Sequence, residues 1–245
     1  MRTYNRLVII ADVPTRHLFH EDGDRPMLRK PEPELMDDPE QARIYAKADF
    51  SEATRIFLAL FEQKFPQHVP HQVVDLGCGP GEITLAFAAA HPQALVSGID
   101  GSSAMLDLAN QRLKQRPEFD GRVAFQRIQL PALTRYRYDT IVSNSLLHHL
   151  HDPQVLWQQI RQWGTPGTVV QVMDLYRPTS EKLAKQIVKQ YAANTPEVLQ
   201  RDFFNSLCAA FTLEEIQQQL KAAGLSHFKN AIVSDRHLAV WGILK

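Results

Sequence analysis

Apolar and polar positions along the chain change their period repeatedly, and the changes mark out an alternating fold. Val73-Val74-Asp75-Leu76 is a short apolar run that ends in glycines, which reads as a buried strand. Gly81 to Ala90 reads as a helix, and Leu95 to Ile99 as a second strand. Ser102 caps a helix that carries Met105, Leu106, Ala109 and Leu113. Val123 to Ile128, Thr140 to Val142 and Thr168 to Met173 are three further strands. Between the last two, Asp152-Pro153 opens a helix with Val155, Leu156 and Ile160 on it. Strands that alternate with helices imply a parallel sheet with helices on both faces. The strand C-termini then share one edge, where ligands bind at the switch point.

The flanks read differently. Leu7 to Ala11 is a short strand candidate, followed by a charged, proline-containing loop from Glu21 to Pro33 that serves as an arm or a lid. Asp38-Pro39-Glu40-Gln41 supplies an N-cap, a first-turn proline and a capping-box glutamine for a helix to about Ala48. Ser51 caps a second helix with Ile56, Phe57, Leu60 and Phe61 on one face. An insert runs from about Leu175 to Phe211, with Leu183, Ile187, Val188 and Tyr191 on one face. Thr212 to Glu215 is a capping box, and Gly224 ends that helix. Phe228 to Val233 and His237 to Leu244, joined across Ser234-Asp235, form a closing hairpin with one antiparallel strand. The organisation predicted is a helical cap segment over 1–70 and an α/β domain over 71–245.

Composition narrows the function classes. Lys plus Arg and Asp plus Glu both number 27, so no global charge draws the chain to nucleic acid or anionic lipid. Arg135-Tyr136-Arg137 is a short basic run that reads as a solvated loop. The two cysteines, Cys78 and Cys208, suggest a reducing compartment without a disulfide framework. No Cys/His spacing reads as a zinc site, so no metal is expected. The apolar stretch at Leu7 stops at Asp12 and Pro14, too short for a signal core or a membrane span. The expectation is a cytoplasmic monomer or homodimer without nucleic acid or membrane partners.

The chemistry concentrates at three strand ends. In Asp75-Leu76-Gly77-Cys78-Gly79-Pro80-Gly81-Glu82 a strand, a glycine turn and a helix start follow in order. The glycines let backbone approach a ligand, and the helix start offers free N–H groups. The spacing departs from the dinucleotide fingerprint, and Asp75 favours a cation over a pyrophosphate. Asp100 ends the next strand, 25 positions after Asp75, where a carboxylate can accept both hydroxyls of a ribose. Ser102, Ser103 and Met105 follow at the place of a nucleobase edge. The third end is Tyr138 to Leu150, which contains Ser143-Asn144 and His148-His149.

Together these segments resemble the class I S-adenosylmethionine-dependent methyltransferases, over roughly residues 70–175. The resemblance implies a Rossmann-like, seven-stranded, mostly parallel sheet with a C-terminal antiparallel hairpin. Helices cover both faces, and cap segments lie at the N-terminus and after the fifth strand. It implies S-adenosylmethionine as cofactor and S-adenosylhomocysteine as product. Asp75, Gly77, Cys78, Gly79 and Gly81 would hold the methionine part, and Asp100 with Gly101 the ribose. Ser102 and Met105 would edge the adenine, and the backbone groups of Ser143 and Asn144 would line the transfer position. The acid that often follows the third strand is missing, and Gln129 stands in its place.

His148, Asp174 and Tyr176 are positional candidates for a proton acceptor, although packing is the favoured reading of the histidines. Tyr45, Phe50, Arg177 and Arg201 are candidates for a substrate wall. The fourth strand lacks the Asn-Pro-Pro-aromatic pattern of family members acting on amide or exocyclic amino nitrogens. Other readings stay open: an enzyme that modifies S-adenosylmethionine itself, like the carboxy-S-adenosylmethionine synthases, a tRNA methyltransferase, or a non-catalytic cofactor-binding regulator. The first of these needs a cation beside the methyl group, from Arg177 or Arg201.

Overall fold

The computed structural model describes residues 27–32 and 35–245. The strand expected at Leu7 to Ala11 and part of the Glu21 to Pro33 loop lie outside these residues. Seven strands form one sheet: β1 (Gln72–Leu76), β2 (Leu95–Asp100), β3 (Val123–Arg127), β4 (Thr140–Asn144), β5 (Val169–Leu175), β6 (Lys229–Ile232) and β7 (His237–Ile243). Their order is β3-β2-β1-β4-β5-β7-β6. All pairs from β3 to β5 are parallel, and β7 runs antiparallel to both β5 and β6. Every residue of β5 is buried, as a strand covered on both faces requires. The chain reverses its direction of travel across the sheet between β1 and β4. A crevice therefore opens beyond their C-terminal ends.

Eight helices are described: α1 (Pro39–Tyr45), α2 (Ser51–Lys64), α3 (Glu82–Ala90), α4 (Ser103–Lys114), α5 (Gln154–Trp163), α6 (Glu181–Ala192), α7 (Glu197–Ala209) and α8 (Leu213–Ala222). Trp157, Trp163, Ile160, Ile216 and Leu220 of α5 and α8 join one hydrophobic cluster with Val74, Ile141 and Val172 of the sheet. Phe57, Phe61 and Phe87 of α2 and α3 join a second cluster with Val73, Val96 and Val142. Neighbouring strand residues thus feed opposite clusters, as the pleat dictates. A third cluster joins α6 to α7 through Ile187, Val188 and Leu207.

Local chemistry corrects several expected boundaries. Asp38 caps α1, but Gln41 does not complete a box; its side chain donates to Asp202 on α7 at 2.8 Å. The helix ends at Tyr45. Ser51 is the first residue of α2 rather than its cap, and Asp49 accepts its N–H at 2.9 Å. Tyr191 stands 37% exposed, away from the buried stripe of α6. The Thr212–Glu215 box forms in full.

Phe125 on β3 lies opposite Gly98 on β2, and its ring occupies the volume that side chains at two glycines would need. A Cβ at Gly98 would meet Phe125 at 2.6 Å, and one at Gly81 would meet it at 2.7 Å. Gly98→Ala is therefore expected to lower stability by about 1–3 kcal/mol through overpacking, measured by denaturant unfolding.

Candidate functional site

The C-terminal ends of β1, β2 and β4 open into a cavity of about 540 Å³, roofed by α1, α2, α6 and α7. The glycine loop forms its floor. Gly77 and Cys78 both donate their N–H to the Ile99 carbonyl at 2.9 Å, which anchors the loop to β2. Gly77 has φ +69°, and a Cβ there would strike Leu146 at 2.7 Å. Gly79 has φ +51° and faces open space, so its backbone stays bare for a ligand.

Asp100 ties the loop to the next helix. One carboxylate oxygen accepts from Gly79 N–H and the other from Ser102 N–H, both at 2.8 Å. Burial pushes its carboxyl up, against the pull of these amide bonds. Ser102 accepts from Met105 N–H as the cap of α4 and donates to the Met36 carbonyl at 2.8 Å. That contact lays the N-terminal segment beside the cavity. Gly101, Met105 and Gln129 line the same end.

Asp75 is deeper and almost wholly buried. One of its oxygens accepts from the Thr84 hydroxyl at 2.6 Å, and the other has no partner among the described residues. Burial pushes this carboxyl up to about 7, with Thr84 opposing and Asp100 adding to the rise. Such a group calls for a cation. Burial also holds the Cys78 thiol well above its ordinary range, so it is an inert wall of the loop.

Beyond β4 the backbone is unusual. Ser145 has φ +57° without being glycine, held by its N–H to the Met173 carbonyl at 2.9 Å. Strain of this kind gathers at working sites. The Asn144 side-chain carbonyl, beside it, is buried with no partner among the described residues. His148 and His149 follow on the wall. Asp174, at the end of β5, stands behind His148 and accepts from its Nδ1 at 2.5 Å. Burial opposes charge on His148, but Asp174 outweighs it and raises the imidazole's affinity for a proton.

The roof carries Tyr45 and Phe50, whose rings lie 4.8 Å apart. Burial and the surrounding carboxylates push the Tyr45 phenol up to about 12. Arg236 also lines the cavity, but it is engaged by Glu52 at 2.6 Å and Asp235 at 3.0 Å, over the face of Tyr191. Burial and Arg236 push the His237 imidazole down to about 4, so it is neutral.

Several expected site residues lie elsewhere. Ser143 faces inward and donates to the Leu76 carbonyl, so Asn144, Ser145 and Leu146 line the cavity in its place. Gly81 starts α3 under Phe125, off the cavity wall. Tyr176 packs into the core and bridges to Phe211. Arg177 is bound by both oxygens of Glu215 and by the Ala210 carbonyl. Arg201 points to solvent and pairs with Asp202. Conversely, the cavity takes in Arg236 and His237, which no local motif singles out. Their signal is topological: β7 is antiparallel, so its first residue sits beside Leu175 at the ligand edge.

Residues 74–170 match the family model of a methyltransferase domain. That segment is a methyltransferase domain of the class I S-adenosylmethionine-dependent kind. A trans-aconitate 2-methyltransferase of Klebsiella pneumoniae (strain 342) is 35% identical over 149 residues, which cover 60% of this chain and 56% of that one. A malonyl-[acyl-carrier protein] O-methyltransferase of Halalkalibacterium halodurans is 29% identical over 40% of this chain and 36% of its own. The chain thus spans about half the length, or less, of these curated relatives. The plantazolicin methyltransferase BpumL, solved with S-adenosylhomocysteine, superposes with a TM-score of 0.65 at 16% identity, over 85% of this chain and 91% of BpumL. That likeness establishes the shared fold.

Two expectations follow for this chain. The Asp75 carboxyl ionises near 7 when folded and near 3.9 when unfolded, so the folded state holds more protons between these values. Stability should fall as pH rises through that window, and Asp75→Asn should flatten the fall, as read by melting temperature from pH 4 to 8. Arg177→Ala should destabilise by on the order of 2 kcal/mol, since Glu215 is partly solvated, while leaving S-adenosylhomocysteine binding unchanged in calorimetry.

Proposed function

We propose that this chain transfers a methyl group from S-adenosylmethionine to a small molecule of low negative charge. The observation that carries the cofactor is the unpartnered oxygen of buried Asp75 beside the glycine loop. An amino-acid ammonium satisfies it. Asp100 stands where a ribose can bind, and Gly101, Met105 and Gln129 form the wall for the base. These residues fit the cofactor by charge and by room.

When bound, the cofactor supplies a methyl carbon already activated by the sulfonium. The protein orients and excludes water. The Asp100 bridge fixes the loop, the left-handed turn at Ser145 sets the wall after β4, and the two cap segments roof the cavity.

The charge of the cavity limits the acceptor. Asp49, Glu52, Asp75, Glu82, Asp100 and Asp202 line it, and Arg236 is the one lysine or arginine among the described lining residues. Since Arg236 is already held by two carboxylates, side chains offer little to a tricarboxylate such as trans-aconitate. The reading in which S-adenosylmethionine itself is modified needs a cation near the methyl, and Arg177 and Arg201 are tied elsewhere.

Calorimetric titration with S-adenosylmethionine and S-adenosylhomocysteine tests the cofactor. Both should bind, and Asp100→Ala should weaken both; absence of binding by folded wild type would sink the reading. Because the ammonium needs ionised Asp75, affinity should rise by about tenfold per pH unit up to about 7 and then level off. Asp75→Asn should bind weakly at every pH. Trans-aconitate should be a poor acceptor of labelled methyl, and efficient turnover of it would overturn the charge argument.

A further inference from the structure

Three ligating side chains converge on the wall of the cavity after β4. Glu32, from the N-terminal segment, approaches His148 and His149, which follow β4 in the chain. The Glu32 Oε1 atom lies 3.5 Å from His148 Nε2 and 3.2 Å from His149 Nδ1. One ligand atom from each residue falls within 4.8 Å of the others. Metal–nitrogen and metal–oxygen distances of 2.0–2.1 Å in a tetrahedron place neighbouring ligand atoms about 3.4 Å apart. The two measured separations bracket that edge.

The surroundings are those of a metal-binding histidine. The Nδ1 of His148 is taken by Asp174, which leaves Nε2 as its ligating atom and fixes the ring. A carboxylate behind a ligating imidazole is the common supporting contact. Ser206 steadies Glu32 by donating to Oε1 at 2.9 Å. The side chains of His148 and Glu32 are only 3% and 12% exposed, so two carboxylates, Glu32 and Asp174, are brought out of water around two imidazoles. A dication balances that charge. The neighbouring cation, Arg29, is committed to the carbonyls of His148, Leu150 and Ala209 and to the Phe211 ring.

We propose that Glu32, His148 and His149 bind a divalent transition-metal ion, of which Zn²⁺ is the representative, at the acceptor end of the cavity. Two nitrogens and one carboxylate oxygen suit a borderline ion of this kind. Both imidazoles line the cavity, so the remaining coordination position opens onto it. Resting on the methyltransferase reading, this adds that the acceptor offers one lone pair to the ion, as a hydroxyl or a thiol does. Balanced by Glu32 and Asp174, the ion leaves no surplus positive charge for an anionic acceptor, so the preference for low negative charge stands. It would also reverse the expectation from sequence that no metal is present, since that expectation rested on the absence of a spaced Cys/His motif.

The test is titration of chelator-stripped full chain with Zn²⁺ by calorimetry, and with Co²⁺ by visible absorption. One equivalent should bind, with Co²⁺ giving the intense bands of a four-coordinate site. Glu32→Gln and His149→Ala should each weaken binding by at least about tenfold, while His227→Ala, at a half-buried histidine bonded to the Ile243 carbonyl, leaves it unchanged. Melting temperature and S-adenosylhomocysteine binding of each variant report folding and the cofactor site separately. Absence of binding by wild type that still binds S-adenosylhomocysteine, or binding that both site variants retain, would overturn the proposal. Failure to bind S-adenosylhomocysteine would strike the methyltransferase reading and leave the metal result standing by itself.

Discussion

Two backbone amides share one carboxylate in this protein, and the site is built around that junction. Asp100 receives Gly79 from the loop after β1 and Ser102 from the start of α4. The loop is thereby held against β2, and the helix start is turned toward the cavity. Ser102 extends the junction outward by donating to the Met36 carbonyl. One side chain at a strand end thus sets the relative position of three segments. Because its oxygens are half occupied by protein donors, the carboxylate is held in one orientation before any ligand arrives, which reduces the ordering a ligand must bring about.

The parallel sheet was legible because its strands are covered on both sides and read as unbroken apolar runs between turn signals. The glycine spacing and the acids at Asp75 and Asp100 were legible because their chemistry depends on strand ends, which the same pattern locates. The closing hairpin was legible too, although its connection spans 233–236 and takes in Val233. What the sequence concealed is where the caps touch. Gln41 looks like half of a local box, yet it bonds across the cavity to Asp202. Arg177 looks like a rim cation, yet the capping-box glutamate Glu215 claims it. In each case a local motif and a distant partner compete for the same side chain, and only tertiary packing decides between them. Glu32 is the extreme case, since a glutamate in a proline-bearing loop carries no signal for its neighbours.

The two ends of the cavity differ in how they manage charge. At the cofactor end a single carboxylate oxygen is left unmatched, which favours one kind of guest. At the other end acids outnumber cations, and the basic group present is already neutralised by Glu52 and Asp235. Selectivity on that side depends on shape, on the aromatic faces of Tyr45 and Phe50, and on the cluster around His148.

The bonds from Gln41 to Asp202 and from Lys30 to Glu181 make one working part of two stretches separated by more than a hundred residues of sequence. A lineage that retunes its acceptor cannot exchange either stretch alone without stranding a donor or an acid on the other. Changes in the roof should therefore arrive in pairs. A chimera built to borrow a relative's acceptor preference has to transplant the N-terminal segment and the helices after β5 as a matched set, leaving the sheet and the glycine loop as the common chassis.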